Sequence, residues 1–405
     1  MKIVFLNRYF HPDHSATSQL LSDLAFHLAA HGYGVQVITG RQRYDDPAAA
    51  LPAEESIRGV AVHRVWTTRF GRVGLFGRAI DYLTFYVSAG LSLARLVRKG
   101  DIVVAKTDPP LISVPAAVVT KLRGARLVNW LQDVFPETAE RLGVRFARSA
   151  PGALLRGLRN LSLRAAETNV VLGERMRTVV EGLAPGTTQV IHNWADGAAI
   201  RPVAAEANTL RAAWGLRDKF VVGYSGNLGR AHEFETLLAA CELLRDEPAI
   251  AFVIIGDGSR REWVEGQAQV RGLTNVVFRP YQPRATLAES LSAADVHLVS
   301  LRPELEGLMV PSKFYGIAAA GRPVIFVGDR DGETARLITA CGCGTTIPVG
   351  DASGLATAIR TLRNEPGRVA EMGNAGRHLL ETRFDLRIAM AHWEAVLEIG
   401  GGGYR

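Results

Sequence analysis

The sequence predicts an α/β protein made of two Rossmann-like, doubly wound parallel-sheet domains. Three observations lead there. Short β-branched runs alternate with longer helical stretches, the order that produces parallel sheets covered by helices. The alternation pauses over a polar stretch at 193–208 and restarts at 220. The 405 residues exceed one ordinary core and suit two.

Taken in order, the first half offers strands at 2–7 (KIVFLN), 35–39, 60–66, 102–105, 126–131 and 169–172. The second offers 220–225, 251–255, 276–278, 296–300, 323–327 and 345–348, with a closing helix at 386–399. An alanine-rich helix at 311–320 is stopped by Gly321. Domain boundaries are expected at 1–197 and 198–384. A hydrophobic content of 47% and evenly spread glycines exclude a long disordered region.

Composition narrows the function classes. The three cysteines, Cys241, Cys341 and Cys343, lack a second ligand pair at zinc spacing and read as buried thiols in a reducing cytosol. Residues 1–3 run directly into a strand, which leaves no room for a cleaved signal peptide. The longest uncharged run of the first half, 111–120, falls short of the ~20 residues that span a bilayer. The expected location is cytoplasmic.

Charge is uneven. Residues 1–200 hold 24 Lys and Arg against 16 Asp and Glu, and the remainder holds 23 against 24. The surplus concentrates at Arg141, Arg145, Arg148, Arg156, Arg159 and Arg164, with no acid between Glu140 and Glu167 and leucines interleaved at helical spacing. Two readings stand: docking on anionic lipid, or a solvated face of a packing helix. Nucleic acid is disfavoured because interleaved aromatic residues are missing.

Candidate chemistry gathers at strand ends. The loop SLRPELEGLMVPSKFYG leaves a strand and opens a helix. Open α/β sheets bind ligands there, and free N–H groups at 311–313 with Lys313 suit a phosphate. Gly226 and Gly229 in YSGNLGR, and Gly256 and Gly258 in IIGDGS, permit close backbone approach. In the first half, Ser15, Thr17 and Ser18 follow the first strand as hydrogen-bond donors or as a helix cap. His11, Asp13 and His14 share that turn, but no further ligand is evident. Asp133 follows the fifth strand beside Trp130, Phe135 and Glu137, and could orient a hydroxyl or cap the next helix.

Together, NVVFRPYQPRATLAESLSAADVHLVSL, EGLMVPSKFYGIAAAGRPVI and DGETARLITACGCGTTIPVGD resemble the retaining glycosyltransferases of family 4, in that family's order. The resemblance implies the GT-B fold, two such domains facing across a cleft, with 385–405 packing back on the first. It implies a donor-binding second domain using Gly226, Asn227, Arg230, Tyr281, Glu306, Gly307, Leu308, Ser312, Lys313 and Glu333. It implies an acceptor-binding first domain with Ser15, Thr17 and Ser18, and Asp133 and Glu306 as the catalytic pair. A metal is not expected; the co-substrate is a nucleotide sugar, UDP-linked first and GDP-linked second.

The VPSKFYGIAAAGRP version is most similar to the subgroup of exopolysaccharide and O-antigen transferases that handle fucose or N-acetylfucosamine. It implies a lipid-linked glycan acceptor, the inner-membrane surface as a partner, and no nucleic acid. The chain departs from the family pattern at three places. Asn227 and His232 stand where an arginine and a lysine are usual, Gln132 and Asp133 where a histidine is usual, and Gly316 where a second glutamate is usual. A nucleotide-sugar epimerase on the same fold and a catalytically silent sugar-nucleotide binder are the rival readings.

Overall fold

The computed structural model describes residues 1–44, 46–71, 74–144 and 149–398. Its first sheet has eight strands: β1 (Lys2–Leu6), β2 (Gly34–Gly40), β3 (Glu54–Ile57), β4 (Val60–Val65), β5 (Ile102–Lys106), β6 (Arg126–Trp130), β7 (Thr168–Val171) and β8 (Thr188–Val190). Their order is β3-β4-β2-β1-β5-β6-β7-β8, parallel throughout except for the antiparallel β3–β4 pair. The chain starts in the middle at β1, builds outward through β2, then crosses to β5 on the other side. That reversal creates a switch point between β1 and β5, where the loops after both strands diverge.

The second sheet has six parallel strands: β9 (Phe220–Ser225), β10 (Ile250–Ile255), β11 (Val276–Arg279), β12 (Val296–Ser300), β13 (Val324–Val327) and β14 (Gly344–Ile347). Its order, β11-β10-β9-β12-β13-β14, places the same kind of reversal between β9 and β12.

Both sheets are covered by helices, so their central strands are buried on both faces and read as unbroken apolar runs. IVVAK in β5 and IAFVII in β10 are buried at every position. In the first unit Val4, Leu6, Val103 and Leu127 pack against Phe85, Ala89 and Leu93 of the helix Leu75–Leu96. In the second, Val222, Ile254, Leu298 and Ile325 share a core with Leu237, Leu238 and Ile359.

Contacts divide the chain into Met1–His192 with the residues from Met390 onward, and Asn193–Ala389. The boundaries therefore sit at 192/193 and 389/390 rather than at the expected 197/198 and 384/385. The reason lies in local pairing. Ala195 bridges Asp385, and the Arg377 guanidinium donates to the carbonyls of Gly197, Ile200 and Ala319, which holds 195–200 to the second unit. The final helix, Leu386–Val396, ends in the first unit: Trp393 is fully buried, its ring 4.6 Å from that of Trp130, and Glu394 bonds His27.

Two strands were not foreseen. EESI of β3 is a polar edge strand with every other residue exposed, and β8 is three residues long. The fourth strand stops at Val65 and leaves Trp66 exposed.

Candidate active site

At the switch point of the second sheet, three strand-end segments converge. His232 lies in the loop after β9, Ser300 ends β12, and Lys313 begins the helix Lys313–Ala319. The His232 Nδ1 donates to the Ser300 carbonyl at 2.6 Å, which leaves the Nε2 lone pair to accept from the Lys313 ammonium at 2.7 Å. Burial and then the Lys313 charge push the histidine down to about 3, so it stays neutral. Burial pulls Lys313 down to about 7. The ammonium also sits 4.9 Å from the Tyr224 ring centroid. A cation held there by neutral partners gains most from an arriving anion.

The adjoining loops touch through backbone. Leu228 N donates to Asp257 O at 2.8 Å, and Arg260 N to Leu228 O at 2.9 Å. Gly226 and Gly256 take φ +129° and +135°, which favours glycine at both, and a Cβ on Gly256 would in addition stand 2.0 Å from the residue 226 carbonyl oxygen. Asn227 and Arg230 are exposed on this rim, and the Tyr281 hydroxyl reaches Asp257 O at 3.4 Å.

The helix expected at 311–320 is shorter, Lys313–Ala319, with Ser312 before it making no side-chain cap. Two turns carry little dipole, so positive charge at this point comes from Lys313 itself. Gly307 takes φ +76°, turning the chain between Glu306 and the buried Leu308. The Glu306 carboxylate accepts the Glu333 amide at 3.2 Å and lies against Gly332, where a Cβ would come 2.3 Å from its Oε1. Glu306 thus caps the helix Glu333–Cys341 from 27 residues away, a structural duty the sequence did not disclose.

In the first unit, the loops after β1, β5 and β6 meet. Thr107 bonds the Asp133 carboxylate and accepts the Gln132 amide at 3.0 Å. Burial raises Asp133 to about 6, an effect the Thr107 bond opposes and the Asp108 charge adds to. The next helix, Glu137–Arg141, is preceded by Pro136, so Asp133 is not its N-cap. Beside it Thr107, Leu131, Asp133, Phe135 and Arg159 line a cavity of about 20 Å³, room for roughly one water.

Lys106, at the end of β5, is fully buried. Its ammonium donates to the Thr17 carbonyl at 2.9 Å and lies 3.5 Å from the Trp130 ring centroid, and burial holds it well below the ordinary lysine range.

The expected acceptor hydroxyls divide. Thr17 is half-buried, its hydroxyl 3.4 Å from Asp108. Ser18 is fully buried and donates to the Asp13 carbonyl, and the Ser15 hydroxyl donates to the Asp13 carboxylate at 2.6 Å. Ser18 is thus internal to the turn, whereas Ser15 stays half-buried, its hydroxyl tied to Asp13 and 3.5 Å from that of Thr17. Asp13 also takes the Ser15 and Tyr44 amides, while His11 packs edge-on against Phe26.

Residues 219–365, inside the second unit, match the family described as glycosyl transferases group 1. The probable glycosyltransferase WbjE of Pseudomonas aeruginosa is 29% identical over 307 residues, 75% of this chain and 76% of its own length. The chain is a glycosyltransferase. The putative colanic acid biosynthesis glycosyl transferase WcaI of Escherichia coli is also 29% identical, over 83% of this chain and 86% of its own. The solved structure of Anabaena HepE in complex with UDP-glucose superposes with a TM-score of 0.73 at 18% identity, covering 98% of this chain and 99% of that one. The fold is therefore GT-B, two parallel-sheet α/β domains.

For this glycosyltransferase the expected arginine patch needs correction. Arg159 is buried, its guanidinium bidentate on Glu137 at 2.7 and 2.9 Å and donating to the Phe135 carbonyl, so it cannot face a lipid surface. Arg156 bonds Glu140 at 3.3 Å. Arg141 is exposed, and Arg145 and Arg148 lie outside the described residues. Among the described residues no helix is long and apolar enough to cross a membrane.

Proposed function

We propose that this glycosyltransferase moves a sugar, a 6-deoxyhexose such as N-acetyl-L-fucosamine or L-fucose, from a nucleotide diphosphate to a lipid-linked glycan during bacterial surface-polysaccharide synthesis. The observation that carries the donor half is the Lys313 ammonium held against neutral His232 at the switch point of the second sheet. A diphosphate placed there restores the full lysine charge and offsets its own. Arg230, Asn227 and Tyr281 on the rim and the Gly226 and Gly256 turns supply further donor contacts. UDP is the first choice of nucleotide, supported by the UDP-glucose held by HepE, and GDP the second. The polysaccharide context is supported by the similarity to WcaI, a putative colanic acid biosynthesis glycosyl transferase.

In the reaction the bond from the anomeric carbon to the diphosphate breaks, the acceptor oxygen bonds that carbon on the same face, and the acceptor's hydroxyl proton passes to the departing diphosphate oxygen. Lys313 receives the charge of the leaving group, Asp133 orients the acceptor hydroxyl, and Glu306 positions the sugar. This assignment gives the diphosphate charge to side chains, without a metal ion. The enzyme works at the inner face of the plasma membrane, where a lipid-linked acceptor resides.

Calorimetric titration with UDP, GDP and their fucose and N-acetylfucosamine derivatives, in EDTA, tests the donor half. Micromolar binding of one nucleotide series is expected, at least tenfold weaker in Lys313→Ala. Affinity should hold below pH 7 and fall above it, because the free-state lysine deprotonates there. Unchanged binding in a folded Lys313→Ala variant overturns the site.

A further inference from the structure

Three helices of the first unit, Leu75–Leu96, Ser113–Arg123 and Ala150–Ala165, pack side by side over the sheet. Each precedes a strand of the parallel set β5, β6, β7, so all three run in one direction and end along one edge. Their inner residues, such as Phe85, Ala89, Leu93, Ala116 and Leu163, are buried as a core requires.

Their outer residues are the unusual part. Phe76 is 80% exposed, Leu122 79% and Leu83 61%, with Val87, Leu91 and Leu161 also open. On the first helix the spacing 76, 83, 87, 91 keeps these side chains on one face, opposite the buried Phe85 and Leu93. Soluble monomers rarely leave so continuous an apolar surface uncovered.

Charge on the helices themselves is almost wholly positive, and at the edge beyond them Glu167 and Glu398 are both taken up by Arg126. The three helices contain a single carboxylate, Asp81, which is buried and accepts the Thr68 hydroxyl and the amides of Phe70 and Gly71. Exposed Arg95, Arg98, Lys99, Lys121, Arg123 and Arg164 gather where the helices end. The ends are neighbours: Gly100 N donates to Gly124 O at 3.0 Å, and the Lys99 stem lies against Gly124.

We infer that this three-helix face is the surface by which the enzyme docks on an anionic bilayer. The leucine, valine and phenylalanine side chains enter the headgroup boundary, and the basic edge meets lipid phosphates. An apolar protein partner has no use for a row of six cations, whereas an anionic membrane satisfies both features at once. The inference rests on the proposed lipid-linked acceptor; of the arginine cluster read from the sequence it keeps only Arg164, at the end of the third helix, and it shifts the docking surface to the outer face of all three helices.

Vesicle co-sedimentation tests it, with the full chain and vesicles of phosphatidylcholine alone or with about one-third phosphatidylglycerol. Binding should be at least tenfold stronger to the anionic vesicles and weaken with salt. Leu83→Glu combined with Leu122→Glu should lower it at least tenfold, and Lys121→Glu combined with Arg123→Glu should remove most of the anionic preference. UDP binding, measured in parallel, should stay unchanged in all variants. Equal vesicle binding by wild type and both variants overturns the inference, as does no vesicle binding together with a dimer that Leu83→Glu dissociates. Loss of UDP binding in the wild type tells against the donor assignment and leaves the docking surface standing.

Discussion

Asp133 carries an acid range moved to about 6 by burial, close to where a group that handles protons near neutrality is most effective. Asp133→Asn should lower kcat about 100-fold. In wild type, kcat/KM should decline as pH drops below about 6, where the carboxyl gains its proton, and the Asn variant should lack that limb. Because the native state holds the charge at a cost, the folded form binds the proton more tightly than the unfolded chain. Stability from this group is therefore full below the ordinary aspartate range and is lost as pH rises through about 6. The same substitution should raise the melting temperature at pH 7.5, and a scanning calorimeter reads that directly. As candidates, Asp133 was legible because it follows an apolar strand and Lys313 because it opens a helix after a strand-end loop. Lys106 was not: it reads as the last residue of IVVAK, and only Thr17 and Trp130, remote in the chain, reveal it as a buried cation.

The loop from β12 to the helix Lys313–Ala319 shows how one element serves two purposes. Glu306 reaches over to cap Glu333–Cys341 and so ties the loops after β12 and β13 together. Glu306→Ala should lose that cap, about 1 kcal/mol, with kcat falling more than UDP affinity. Glu306→Gln keeps an acceptor for the Glu333 amide, so it should recover the melting temperature while turnover stays low. If Gln restores both, capping is the residue's whole role. Central strands were easy to read from sequence because burial on both faces demands continuous apolar residues. The edge strand EESI escaped because it has one covered side and a polar composition. The helix at 313–319 was read as too long because alanine-rich propensity says nothing about where the incoming loop frees its first turn.

At the scale of the whole chain, the division into two units followed from length and from the restart of strands at 220. The exact joints did not, since they depend on the contacts of Arg377 and Asp385 with 195–200. The first unit depends on a distant residue, Trp393, to cover Trp130. Trp393→Ala should cost that unit about 3–5 kcal/mol, seen as an early transition in urea by fluorescence. UDP affinity of the second unit should change less than twofold. The chain leaves the first unit after His192 and returns to it at Met390. A growing chain therefore makes the whole second unit before the ribosome releases the helix that finishes the first. At about 5–20 residues per second, Trp130 waits roughly 13–50 s for its partner ring. Throughout that interval a half-built domain leaves the side of the indole that Trp393 will cover open to chaperones and proteases, so a stop codon before Trp393 should yield a product that is degraded even though its second unit is fully encoded.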